Sequence, residues 1–168
     1  MKAVAMIALL AGTGTMGLAG DLKEKTEVTA FGGGAWFSDG VGNKPIYGGS
    51  AGYGVTSKTL VYAEFSHSPL ETGGPVGAHF LDAQGGIKQT LFTSDRVEPY
   101  ALAGVGYGRF FVTGVSGINS NYFGINVGGG ARVFAGQRWG FQPEVRYAKY
   151  FDNGPHVVRY TGGIFLQW

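Results

Sequence analysis

The sequence predicts an all-β fold: an eight-stranded antiparallel up-and-down transmembrane β-barrel, preceded by a cleavable signal peptide. The first observation is composition. The 168 residues include 32 glycines and 14% aromatic residues but only 14% charged residues, whereas a typical soluble domain has about 25% charged residues. The second is a series of eight β-rich runs separated by turn-rich breaks. The third is alternation: most runs place apolar side chains at every second position, which gives a strand two faces in different surroundings.

Composition also restricts the function. The chain is long enough for one domain. It contains no cysteine, so disulfide and thiolate chemistry are excluded. Thirteen Lys and Arg residues against eleven Asp and Glu residues leave the chain almost neutral and without a basic cluster, so we expect no nucleic-acid partner.

The N-terminal segment predicts export. Lys2 precedes the apolar run Ala3–Ala11, and small residues lead to Ala19, a pattern typical of a secretory signal peptide. A membrane anchor is the alternative, but nine apolar residues are too few for a span of about 20. We therefore predict a signal peptide at 1–19, with cleavage after Gly20 as a close rival. Residues 20–25 then form a short periplasmic segment, and 26–168 form the barrel domain.

The strands and their connections predict a membrane barrel. The connections after strands one, three, five and seven read as longer loops, and those after strands two, four and six as tight turns. Short turns at one end and longer loops at the other are typical of bacterial outer-membrane barrels. The predicted strands lie near 26–37, 47–56, 60–68, 79–92, 97–112, 121–134, 140–151 and 157–168.

The alternating faces indicate which side of each strand points inward. On strand seven, Phe141, Val145 and Tyr147 alternate with polar residues that include Glu144 and Arg146. The polar faces of other strands carry many glycines, which fit the crowded interior of a narrow barrel better than a solvated surface. In the glycine-rich first strand, FGGGAWF, the sequence does not indicate which alternate residues point inward and which point outward.

The polar faces bring charged residues into the predicted lumen. Four acids and four bases can neutralise each other there, and Glu144 is expected between inward arginines of the neighbouring strands. Exchange of ion-pair partners would make a gate for a narrow water path, whereas a fixed network would make a plug. Because eight strands enclose a space that side chains just fill, we favour the plug. The set is Glu64, Asp82, Lys88, Glu98, Arg132, Glu144, Arg146 and Arg159.

Three stretches carry a family resemblance. VEPYALAGVGYG (97–108), NVGGGARVFAGQRWGFQPEVRY (126–147) and the terminal GGIFLQW resemble, in this order, the OmpA-like and OmpX-like outer-membrane barrels. The resemblance implies an outer-membrane location, contact with lipid and lipopolysaccharide, and a monomer. It also implies that the outer-membrane assembly machinery reads the last strand, through the alternating residues Tyr160, Ile164, Leu166 and Trp168.

Catalysis is not predicted. Outer-membrane lipid A deacylases carry a His-x-Ser pair on a late strand, where this chain has Lys149 and Phe151. His67 lies between serines on strand three, but no carboxylate and no oxyanion hole accompany it. The three histidines are too scattered in sequence for a metal-ligand spacing. We expect no cofactor and no metal.

These observations lead to one functional prediction and two alternatives. The prediction is a structural or surface-contact protein that supports membrane integrity or adhesion through its external loops. The first alternative is a narrow pore or a carrier for small apolar molecules. The second, less favoured, is a lipid-modifying enzyme.

Overall fold

The computed structural model describes residues 21–38, 40–71, 77–114 and 119–168, so the predicted signal peptide lies outside the described residues. Every neighbouring pair of strands is antiparallel, and β1 also pairs with β8, which closes the sheet into a barrel. The predicted all-β, eight-stranded barrel is confirmed. Within the described ranges, no helix is long and apolar enough to cross a membrane. The strands are β1 (Thr26–Phe37), β2 (Gly42–Gly54), β3 (Thr59–Glu71), β4 (Gly77–Thr90), β5 (Val97–Thr113), β6 (Asn119–Phe134), β7 (Trp139–Tyr150) and β8 (His156–Gln167).

The seam between the first and last strands is continuous. The β1–β8 register runs from Glu27 opposite Gln167 to Phe37 opposite Val157. Beyond it, the Thr26 amide donates to the Trp168 carbonyl at 2.8 Å, and the Trp168 amide donates back at 3.0 Å. Because this pairing leaves no open strand edge, the backbone polar groups of the wall are satisfied within it, as a lipid environment requires.

The two ends of the barrel differ less than predicted. The terminal end carries residues 21–25, Trp168 and the connections 55–58, 91–96 and 135–138, whereas the loop end carries 38–41, 72–76, 114–118 and 151–155. The predicted longer loops are therefore wrong: each connection at the loop end has only four or five residues. The reason is that strand pairing continues into the predicted loops, as between Phe37 and Gly42. Strands of 12 to 17 residues exceed the nine to eleven needed to cross a bilayer.

The outer face is apolar and exposed. Along β7, buried and exposed residues alternate without a break, and the exposed positions include Phe141 and Val145, more than half exposed. The other strands expose Val61, Val105, Val127 and Ile164 in the same way. Such a band of apolar side chains around a closed barrel is stable in lipid and not in water. The chain is therefore built as a transmembrane barrel.

Inward glycines make room for inward rings. A Cβ placed on Gly108 would lie 2.5 Å from the Phe80 ring, and one on Gly130 would lie 2.7 Å from the Tyr100 hydroxyl. The high glycine content therefore has a packing cause, since a narrow barrel cannot hold a large side chain at every inward position.

Candidate functional site

The lumen is the candidate site, and its part nearest the loop end is apolar. Phe80 lies between Phe37 and Tyr150, with ring centroids 5.5 and 5.4 Å away in edge-to-face geometry. Such aromatic pairs add packing energy beyond the area they bury. The sequence analysis expected a polar lumen and missed this apolar layer, which comprises Ala35, Phe37, Ile46, Leu70, Phe80, Ala148, Tyr150 and Val157.

An ion-pair network fills the middle of the lumen. An Arg146 amino group lies 3.0 Å from a Glu64 oxygen and 2.6 Å from a Glu144 oxygen. Glu64 also binds Arg159 at 2.5 Å, and Arg159 lies 3.4 Å from Asp82. Lys88 lies 3.7 Å from Glu144. All of these side chains are buried. The pairs join β3, β4, β7 and β8 across the barrel.

Neutral polar side chains add further hydrogen bonds to this network. The Tyr100 hydroxyl donates to Glu144 at 2.8 Å and accepts from the Gln142 amide at 2.8 Å. Arg146 also donates to the Gln84 side-chain oxygen, and the Tyr62 hydroxyl donates to Asn126 at 3.1 Å. Each such pairing offsets part of the cost of burying a polar group.

A second ionic cluster lies nearer the terminal end. The Arg132 Nε donates to Glu27 at 2.6 Å, and a terminal nitrogen of Arg132 lies 3.8 Å from Glu98. The same guanidinium lies 5.1 Å from the centre of the Tyr100 ring. The three side chains of this cluster are at most 2% exposed. The cluster is therefore as well shielded from solvent as the central network.

Two details of the predicted charge set are corrected. Glu27 of β1, a strand whose inward residues could not be assigned from sequence, is also buried. Five carboxylates therefore face four cations among the described residues, instead of four against four. Glu144 also pairs with Arg146 and Lys88, not with the expected inward arginines of the neighbouring strands. Those two arginines instead hold Glu27, Glu64 and Asp82.

Residues 21–25 fold back against the terminal end. Leu22 is buried against Leu60 and Tyr62. The Leu22 amide donates to the Ser57 carbonyl at 3.1 Å, and the Glu24 and Gly54 backbones are joined by a 2.8 Å bond. Glu24 has a left-handed φ of 64°, which turns the segment back under the barrel. We name residues 21–25 the N-terminal strap.

Little unfilled space remains among the central charges. A space bounded by Thr29, Ser50, Glu64, Lys88 and Glu144 has a volume of about 10 Å³. That volume holds about one water molecule. This space among the central charges is therefore too small for a chain of several water molecules.

The residues weighed for catalysis are kept apart. Ser66 is buried on the inner face, whereas His67 points outward on the same strand. Both lie well within β3. Lys149 faces outward on β7, and Phe151 follows the last residue of that strand. This arrangement does not bring the Ser66 hydroxyl and the His67 imidazole together.

The residues of the expected assembly signal share one surface. Tyr160, Ile164, Leu166 and Trp168 are all exposed on the outer face at about half of their surface. The terminal residue continues the β1–β8 seam through the two backbone bonds with Thr26.

Comparison with solved structures identifies the fold. Neisserial surface protein A has a TM-score of 0.72 at 16% identity, over 85% of this chain and 97% of that one. Ail, the attachment invasion locus protein of Yersinia pestis, has a TM-score of 0.66 at 12% identity, over 87% and 99%. OprG of Pseudomonas aeruginosa has a TM-score of 0.57 at 13% identity, over 89% and 98%. The chain folds as a small outer-membrane β-barrel.

The predicted resemblance to OmpA-like and OmpX-like barrels is thus confirmed at the level of the fold. The same fold agrees with the apolar exterior and closed seam of an integral outer-membrane protein. No protein-family model matches the chain, and no curated protein matches its sequence.

Proposed function

We propose that this chain is a sealed structural barrel of the outer membrane, with surface contacts made by its loop end. The observation that carries the proposal is the ion-pair network that crosses the lumen between β3 and β7. The cationic and anionic side chains bind each other at 2.5 to 3.7 Å, so the lumen is occupied by a plug. The apolar layer lies between the plug and the loop end. The second ionic cluster, around Arg132, and the N-terminal strap lie between the plug and the terminal end.

We infer the orientation of the barrel in the membrane from the predicted signal peptide and the predicted assembly signal on β8. With an exported precursor and an assembly signal on β8, the terminal end faces the periplasm and the loop end faces outward. Contact with lipid and lipopolysaccharide is then made by the apolar exterior, and the chain acts as a monomer. The groups available for contact with other surfaces are four connections of four or five residues each. Such short connections favour a small contact area over an extended adhesive surface.

The pore and carrier alternatives find less support in this geometry. A gate would need the central pairs to exchange partners, but Arg146 is held by Glu64, Glu144 and Gln84 at once. A carrier would need space in the apolar layer, where Phe80 packs against Phe37 and Tyr150 on two sides. The separation of Ser66 from His67 likewise supports a role without catalysis.

The role is tested in the native host with a strain that lacks this chain. Loss of a structural barrel should raise the entry of an excluded dye, and the parent chain should restore the barrier. A variant with glycine and serine at 38–41, 72–76, 114–118 and 151–155 separates the two parts of the proposal. It should restore the barrier but not surface attachment. Unchanged dye entry and attachment in the deletion strain would contradict the proposal.

A further inference from the structure

A histidine pair lies on the outer wall near the loop end, away from the lumen. The Nε2 atom of His67 on β3 is 3.1 Å from the Nδ1 atom of His79 on β4. Pro69, two residues after His67, is the register partner of His79, so the two histidines are diagonal neighbours on one face. Side chains in this relation are within reach of each other on an antiparallel sheet. Strand pairing thus brings together two imidazoles that the sequence separates by twelve positions.

Each imidazole is oriented by an aromatic neighbour. The Tyr47 hydroxyl lies 2.6 Å from Nδ1 of His67, on the side of the ring opposite His79. The ring of His79 lies against Phe111, with centroids 5.2 Å apart and planes 22° apart. The four residues come from β2, β3, β4 and β5, which form a continuous part of the closed wall. The positions of the two rings are therefore set by neighbours on both sides.

We propose that His67 and His79 form a binding site for a divalent transition-metal ion that favours imidazole, such as Cu²⁺ or Zn²⁺. Metal–nitrogen bonds of about 2.0–2.1 Å at a tetrahedral angle place two ligand nitrogens about 3.3 Å apart. The observed 3.1 Å is within a few tenths of an ångström of this spacing, and the two rings would also turn so that both lone pairs meet at the ion. Water would supply the remaining ligands.

The hydrogen-bond pattern suits this role. When Nδ1 of His67 donates its proton to the Tyr47 oxygen, the Nε2 lone pair points toward His79. Metal-binding histidines commonly hold their second nitrogen in this way, which fixes the tautomer and the ring orientation. His79 then carries its ring proton on Nε2, so both nitrogens that face each other are free to bind the ion. The tautomer shift leaves the total number of protons unchanged.

The chain supplies a matched control. His156 on β8 also lies near the loop end, and its Nδ1 atom is 2.5 Å from the Tyr147 hydroxyl. It resembles His67 in residue type, position and tyrosine contact. Among the described residues, its partners include Tyr147, Lys149 and Ser38, none of which carries an imidazole. A metal that requires two imidazoles should discriminate between His67 and His156.

The test is calorimetric titration of the refolded, tag-free barrel with Cu²⁺, together with electron paramagnetic resonance of the complex. The parent should bind one ion with the coupling pattern of two imidazole nitrogens. His67→Ala and His79→Ala should each lose that site, and His156→Ala should keep it. Tyr47→Phe, which removes only a hydroxyl group, should weaken binding by about tenfold. Each variant is first shown to be folded by its heat-dependent gel mobility.

Three results would overturn the proposal. They are an absence of saturable binding in the parent, retention of the two-nitrogen signal in His67→Ala or His79→Ala, and equal loss in His156→Ala. If an alanine variant does not fold, the Tyr47→Phe titration decides instead, since unchanged affinity there contradicts the assigned orientation of His67.

Discussion

Arg146 and Glu64 bind each other across the lumen through two hydrogen bonds, at 3.3 and 3.0 Å. Arg146 belongs to β7 and Glu64 to β3, four strands away in either direction around the closed sheet. The pair therefore joins opposite walls. A forked guanidinium–carboxylate contact has a strict geometry, and here it sets the position of the charges that Arg146 and Glu64 also bind. The consequence is a lumen crossed by fixed side chains.

Removing one carboxylate from this network should destabilise the barrel. Glu144→Gln leaves Arg146 and Lys88 without one of their acidic partners in a buried site. We expect a loss of about 3–5 kcal/mol in the free energy of unfolding, the cost of leaving a buried charge uncompensated. Urea unfolding in lipid vesicles measures it. Lys149→Gln, on the outward face of the same strand, is the control and should change stability by less than about 0.5 kcal/mol.

Inward and outward glycines should respond differently to alanine. At Gly108 the added methyl group would meet the Phe80 and Tyr150 rings at 2.5 and 3.0 Å, so overpacking should cost about 1–3 kcal/mol. At Gly162, which faces lipid, a Cβ meets nothing within 4 Å, and stability should stay the same or rise slightly. The same unfolding experiment compares the two. Equal losses would show that Phe80 does not occupy the space beside Gly108.

The N-terminal strap should detach without unfolding the barrel. A Cβ on Gly54 would lie 1.6 Å from the Leu22 carbonyl oxygen, which is backbone and cannot move aside alone. Gly54→Ala should therefore release Leu22, and hydrogen exchange of the Leu22 and Lys25 amides should quicken. Exchange within β3 and β7 should not change. Unchanged protection of the Leu22 and Lys25 amides in Gly54→Ala would contradict the packing of Leu22 against Leu60 and Tyr62.

The terminal tryptophan should affect assembly more than another tryptophan near the same end. Trp168 and Trp139 are 50% and 43% exposed, so aspartate at either site removes a similar interfacial anchor. Only Trp168→Asp also removes the expected signal for the assembly machinery. Unfolded protein should accumulate in the periplasm for Trp168→Asp and much less for Trp139→Asp, as measured by cell fractionation. Similar accumulation of unfolded protein for both variants would contradict the assembly signal and leave Trp168 with only an interfacial anchoring role.

The alternating positions of strands three to eight were sufficient to predict the fold and most of the inward charges. A period of two separates the faces of a strand wherever polar and apolar residues alternate, as along β7. The glycine-rich first strand lacks that contrast. Glu27 was missed for this reason, although it contacts Arg132 at 2.6 Å.

The partners of each charge depend on the register between strands and on side-chain length, which periodicity does not contain. Arg146 reaches Glu64 on the opposite wall, a contact that no local spacing indicates. The apolar layer was missed because Phe80, Phe37 and Tyr150 converge from three separate strands. The His67–His79 contact likewise depends on the β3–β4 register.

The central claim is that the lumen is sealed, and single-channel recording in a planar bilayer tests it most directly. The refolded parent should show no steady conductance across a range of voltages and salt concentrations. Glu144→Gln should introduce leak currents if the central network is the seal, whereas Lys149→Gln should stay silent. A large, stable conductance in the parent, unchanged in Glu144→Gln, would contradict the plug and establish an open pore.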